Sequence, residues 1–184
     1  MAMLATAGLA EFYQLAARRG LPSFRLCGLL GGLLLMVGTF LHCTGKLGIH
    51  DSPARVNDFE TSFLIVFVLG LALRLLAVGP TGNGLTLLAV SLLGLLYVPW
   101  LLNFIQKIHF FPGINGLGKF YVLYFLVVTK LSDTGAYIVG SLCGRHKMAP
   151  RLSPGKTWEG FAGALLFATA ASLIVSEWLG PHLP

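Results

Sequence analysis

Long apolar runs separated by short polar stretches fill most of the chain, and each run predicts a helix. The runs Phe24–Leu41, Thr61–Gly79, Gly84–Leu102, Lys119–Gly140 and Thr157–Leu179 are each long enough to cross about 30 Å of hydrocarbon as a helix. A sixth run, Met1–Ala17, starts abruptly on an apolar residue and carries Glu11 within it; at about 1.5 Å per residue it is marginal for crossing. It reads as a helix whose beginning is missing, and it lacks the basic leader of a secretory signal peptide. Alternation of period two is absent, and lipid admits only helices and closed barrels, because every backbone polar group must be satisfied there. The pattern predicts an all-α, polytopic transmembrane helix bundle of about five to six spans. It forms a single transmembrane domain over residues 1–184, without a soluble domain or an internal repeat.

Composition agrees with this reading: 55% of residues are hydrophobic, 11% are charged and the mean hydropathy is +0.79. The 23 glycines, many inside the spans, suit close helix approach more than flexible linkers; Gly28, Gly31, Gly32, Gly140 and Gly144 are examples. Basic residues set the orientation, since they are retained on the cytoplasmic side. One side collects Arg18, Arg19, Arg25, Arg74, Arg145, Lys147, Arg151 and Lys156, against Lys46, Arg55, Lys107 and Lys119 on the other. The loop from Gly144 to Lys156 should therefore face the cytoplasm, and the net charge of +6 adds attraction to anionic head groups. Cys27, Cys43 and Cys143 have neither metal-ligand nor disulfide spacing and read as small packing residues. His42, Cys43, His50 and Asp51 could gather round a metal on the outer side, but they are spread over a loop without recognisable ligand spacing.

The polar exception is the stretch from Ser132 to Gly160, SDTGAYIVGSLCGRHKMAPRLSPGKTWEG, set between two apolar segments. Asp133 falls within or at the edge of the bilayer, a costly position that points to function. Lys130, Asp133, Tyr137, Gly140 and Gly144 recur at three- and four-residue intervals and share one helix face. On this helix alone two readings stay open: a functional polar face, or Lys130 neutralising Asp133 while the glycines pack a neighbour. The loop that follows concentrates Arg145, His146, Lys147, Arg151 and Lys156, and phosphate is the natural guest of such a loop. Taken singly, its arginines are better explained by retention of positive charge on the cytoplasmic side. Ser153 before Pro154 predicts an N-cap and a first helical residue. Lys156 and Thr157 would join that helix end in binding an anion, and Gly155 would let phosphate approach the backbone. Gly155-Lys156-Thr157 is not a P-loop, because the earlier glycine position holds Pro150 and no buried strand precedes it. Glu159, one turn into the predicted helix, could join Asp133 on a magnesium ion, which takes a few carboxylates plus phosphate oxygens. Together these features suggest phosphoryl or nucleotidyl transfer to a lipid.

The same stretch resembles the central motif of the phosphatidate cytidylyltransferase (CDP-diacylglycerol synthase) family, roughly D-x-x-A-Y-x-x-G-x-x-x-G-[KR]-x-K, a spacer, then S-P-x-K-T-x-E-G. Asp133, Ala136, Tyr137, Gly140, Gly144, Arg145, Lys147, Ser153, Pro154, Lys156, Thr157, Glu159 and Gly160 meet it. Glu11, Phe12 and Tyr13, ending an early helix before a basic turn, resemble the family as well. The resemblance implies attack of the phosphate of phosphatidic acid on the α-phosphorus of CTP, giving CDP-diacylglycerol and pyrophosphate with Mg2+ offsetting the charge. Under it, Asp133, Lys156 and Glu159 are the catalytic candidates, and Tyr137, Arg145, Lys147, Ser153 and Thr157 the substrate-binding ones. Asp133 and Glu159 are the metal candidates. The expected partners are CTP, phosphatidic acid, membrane lipids and a second copy in a homodimer, with no nucleic acid. The expected place is the bacterial inner membrane, with the motif loop cytoplasmic. The family's downstream signature, a serine, Lys-Arg, Lys-Asp, His-Gly-Gly, Asp-Arg, Asp series, is not reached before Pro184, so the domain is expected to be incomplete and inactive alone. The competing readings are a related polyprenol or phytol kinase and a non-catalytic membrane scaffold.

Overall fold

The structure, a computed structural model, describes residues 1–44, 53–79, 82–111, 117–151 and 153–179. Six helices follow in order: α1 Ala2–Arg18, α2 Arg25–Cys43, α3 Pro53–Val78, α4 Gly84–His109, α5 Gly118–Cys143 and α6 Trp158–Leu179. Between α5 and α6 lies a small antiparallel hairpin of β1 Lys147–Ala149 and β2 Ser153–Thr157. The all-α bundle stands, with this hairpin as its addition among the described residues. Five helices carry stretches long and apolar enough to cross a membrane: Arg25–Cys43, Asn57–Val78, Gly84–His109, Gly118–Cys143 and Trp158–Trp178. Helix α1 has 17 residues and is not among them. Contacts divide the chain into two compact units, Met1–Gly113 and Ile114–Pro184. Both are built of the same kind of apolar span, so composition marks no boundary between them.

In the first unit α1 turns Ala5, Leu9, Tyr13 and Ala16 inward, the spacing of one helix face. Tyr13 is fully buried, and its hydroxyl donates to the Ser91 carbonyl oxygen at 2.8 Å. Glycine makes room for its ring: a methyl group on Gly94 would lie 2.7 Å from Tyr13 Cε1, and one on Gly28 would overlap the same ring. Gly31 faces Phe67, and Gly32 faces Leu9 and Pro99, so these glycines serve close approach as the sequence suggested.

Helix α4 widens to a π turn at Leu96–Trp100, with Pro99 buried inside it. Beyond the turn, Asn103 Nδ2 donates to Thr39 Oγ1 at 2.8 Å and to Glu60 Oε1 at 2.6 Å. Lys107 Nζ holds Glu60 Oε2 at 2.5 Å and Asn57 Oδ1 at 3.0 Å. These pairings explain why α3 begins before Thr61 and α4 continues past Leu102, the limits set by hydropathy. Polar side chains that satisfy one another can lengthen a membrane helix that composition alone would end.

In the second unit α5 and α6 pack side by side on small residues. A methyl group on Gly163 would meet the Val139 side chain at 2.6 Å, and one on Gly160 would come within 2.9 Å of the Ala136 carbonyl oxygen. Tyr124 Oη and Ser172 Oγ share a hydrogen bond of 2.6 Å, and Ser132 Oγ donates to the Ala164 carbonyl at 3.3 Å. Of the two readings of this helix face, the one that paired Lys130 with Asp133 is not seen: both side chains are exposed, with no salt bridge among the described residues.

Candidate functional site

One expectation about the motif is corrected. Ser153 and Pro154 do not start a helix; they lie in β2, where Ser153 is in register with Ala149 and Thr157 with Lys147. The helix begins at Trp158, and Thr157 is its cap: Thr157 Oγ1 accepts the Gly160 N–H at 3.1 Å. Proline tolerates an extended strand of a two-stranded ribbon as readily as a first helical turn, so Ser-Pro did not separate the two. Thr157 is 5% exposed and caps a helix end while its own hydroxyl proton has no acceptor among the described residues.

A carboxylate of the chain itself, Glu159, stands in the first turn of that helix and binds the turn after α5. Glu159 accepts the Arg145 N–H at 3.2 Å and the His146 N–H at 3.2 Å, both at Oε2. The His146 ring nitrogen Nδ1 meets Glu159 Oε1 at 2.6 Å. The Trp158 N–H donates to the His146 carbonyl at 3.0 Å, closing the turn from the other side. The turn after α5 is thereby tied to the first turn of α6. Gly144 permits this approach, since a methyl group there would overlap the Gly140 carbonyl and lie 2.8 Å from Thr157 Oγ1.

Beside this knot an open cavity of about 520 Å³ is lined by Asp133, Ala136, Tyr137, Gly140 and Ser141 from α5 and by Met148 from β1. Gly155, Lys156 and Thr157 from β2, and Gly160, Phe161 and Ala164 from α6, complete the lining. That volume lies in the range of small-molecule sites. Its walls are mostly apolar, and its charged side chains are Asp133 and Lys156, of opposite sign. Nothing lies within 4 Å of where a side chain on Gly155 would begin, so the backbone there is open to a ligand.

The sequence candidates thus fall into two groups. Asp133, Tyr137, Lys156 and Thr157 line the cavity; Arg145, Lys147, Ser153 and Glu159 do not, and belong to the turn and hairpin that frame it. Sequence reasoning missed Ser141, Met148, Phe161 and Ala164. A signal for two of them was present, because Thr157, Gly160, Phe161 and Ala164 follow the spacing of one helix face. His146 as the partner of Glu159 had no such signal, being 13 residues away across the hairpin.

Among the described residues no three His, Cys, Asp or Glu side chains gather to hold a metal. Asp133, a lone carboxylate facing a cavity, fits a magnesium ion held mainly by phosphate oxygens of a substrate. Glu159 fits less well, its oxygens being committed to backbone amides and His146. Of the residues weighed for a second metal site, His42 stacks on Phe59 at 5.0 Å between ring centres, while His50 and Asp51 lie outside the described residues.

Comparison with known proteins agrees with the motif. The chain is 43% identical over 70 residues to a phosphatidate cytidylyltransferase of Mycobacterium leprae, a stretch covering 38% of this chain and 22% of that protein. It is 41% identical over 66 residues to one of Staphylococcus epidermidis, covering 36% and 25%. For one of Staphylococcus saprophyticus the figures are 47% over 58 residues, 32% and 22%. The matched stretches thus span about a quarter or less of these curated relatives. No solved structure matches the chain. The profile of the cytidylyltransferase family, however, matches residues 1–183, and the chain belongs to that family.

Proposed function

We propose that this chain contributes to a CTP:phosphatidate cytidylyltransferase, in which CMP passes from CTP to phosphatidic acid. A phosphate oxygen of the lipid attacks the α-phosphorus of CTP, a new P–O bond forms, and the bond to the β-phosphate breaks to release pyrophosphate. The products are CDP-diacylglycerol and pyrophosphate. The observation that carries this reading is the cavity at the end of the α5–α6 pair, where Lys156, Thr157 and an open Gly155 backbone adjoin Asp133 and apolar walls. The Lys156 ammonium and the free Thr157 hydroxyl proton donate to phosphoryl oxygens, and Tyr137 and Phe161 give apolar surface to the rest of the substrate. Such transfer needs chiefly positioning and charge stabilisation, which donors fixed on a capped helix and a hairpin provide. Magnesium, bound by Asp133 and substrate phosphates, would supply neutralisation of phosphate charge. Arg145 and Lys147 act as a basic approach on the cytoplasmic face of a bacterial inner membrane, drawing in CTP or the lipid phosphate.

The test is conversion of labelled CTP and phosphatidate to CDP-lipid by membranes carrying the chain, alone and extended through the family's downstream carboxylate signature. Product that depends on the chain and falls at least about 100-fold on Lys156→Met supports the assignment. A phosphorylated polyprenol in place of CDP-lipid would move it to the kinases, and no product in either form would leave a scaffold.

A further inference from the structure

The first unit carries a concentration of positive charge that the proposed reaction does not use. Arg18 and Arg19 end α1, Arg25 opens α2, and Arg74 lies about one turn before the end of α3. Arg74 belongs to the same end of the unit as Arg25, because its Nη1 donates to Cys27 Sγ at 3.1 Å and its guanidinium sits 5.1 Å from the centre of the Phe24 ring. All four arginines are exposed, and none is in an ion pair among the described residues. The carboxylates of this unit's described residues lie elsewhere: Glu60 and Asp58 are 14 and 16 residues back along α3 from Arg74, about 21 and 24 Å, and Glu11 is two turns up α1 from Arg18.

Retention of positive charge on the cytoplasmic side accounts for arginines in a connecting turn. It brings Arg74 to the same side as well, but Arg74 belongs to the apolar span Asn57–Val78 and not to a turn. A cation in such a helix is costly unless it reaches the head-group level and finds a partner there. Arg74 is also held in place by the Phe24 ring and the Cys27 sulfur, so little side-chain freedom is left to lose on binding. The rest of its N–H fork has no protein acceptor among the described residues, and a planar guanidinium matches a phosphate bidentately. At the depth where a membrane helix ends, lipid phosphate is the abundant anion.

We propose that this arginine end is a binding site for the phosphate of an anionic membrane phospholipid, centred on Arg25 and Arg74. It uses none of the residues that line the Asp133 cavity, and it does not rest on the proposed reaction. The first unit would thereby keep lipid of negative charge bound to the protein.

Native mass spectrometry of the full chain, titrated with phosphatidylglycerol or phosphatidylcholine, tests the site. Phosphatidylglycerol should be retained over phosphatidylcholine. Arg25→Gln and Arg74→Gln should each weaken that retention about fivefold, the equivalent of about 1 kcal/mol per basic residue at an anionic surface. Arg74→Lys should keep part of it. Arg25 makes no side-chain hydrogen bond or ion pair among the described residues, so Arg25→Gln carries the test even if Arg74→Gln fails to fold. Equal retention of the two lipids, or unchanged affinity in the Arg25→Gln protein, would overturn the proposal. So would ready displacement of the lipid by inorganic phosphate, which would mark a site for free anions.

Discussion

At the scale of single residues, the Glu159 carboxylate organises the turn after α5 by receiving two successive backbone N–H groups and the His146 ring. Glu159→Gln keeps the size but sets an amide donor among donors. Hydrogen exchange at Arg145 and His146 should become several-fold faster, as read by mass spectrometry; unchanged exchange would mean that the hairpin alone holds the turn. Thr157 has a different duty, since its oxygen caps α6. Thr157→Val should cost about 1 kcal/mol and lower the thermal midpoint, while Thr157→Ser should keep both. Asp133 and Tyr137 were legible in the sequence because a helix repeats its face every three to four residues. The Glu159–His146 pair was not, because a chain reversal joins residues that no period links.

At the scale of elements, α5 and α6 meet through glycine, and the cost of filling each glycine depends on what faces it. Gly163→Leu would drive a side chain into Val139 and should destabilise the pair by about 1–3 kcal/mol, an overpacking cost readable as a lower unfolding midpoint. Gly155→Ala, with nothing within 4 Å, should leave that midpoint unchanged while obstructing the cavity mouth. A fall in stability for Gly155→Ala would show that the hairpin packs more tightly than its contacts indicate. Hydropathy found the five spanning helices, because burial in lipid demands apolar side chains over a whole span. It misjudged the ends of α3 and α4, where Asn57, Glu60, Asn103 and Lys107 satisfy one another. It also gave no sign of the hairpin, whose strands of three and five residues are too short to show alternation.

At the scale of the whole molecule, five helices are long and apolar enough to cross a membrane, and in two of them, Asn57–Val78 and Gly118–Cys143, only 6% of the apolar window is buried by the chain itself. Which side of the bilayer receives the motif loop can be read at Cys143, exposed at the end of α5. With Cys27 and Cys43 replaced by serine, a membrane-impermeant maleimide should label Cys143 in inverted vesicles and spare it in intact spheroplasts. The opposite pattern would put the motif loop outside, away from CTP.

The π turn at Leu96–Trp100 gives the first unit an angular dependence. A single extra residue in a helix rotates everything after it by about 100°. The widened turn absorbs that residue, and Asn103 and Gln106 come to rest against Thr39, Glu60 and Met36. Closing it would swing both amides, and Lys107 with them, out of their present register and leave the Glu60 carboxylate without these partners. The polar interior of this unit is therefore a matter of phase along one helix: the side chains that form it could all be kept, and the interior would still be lost to a shift of one residue.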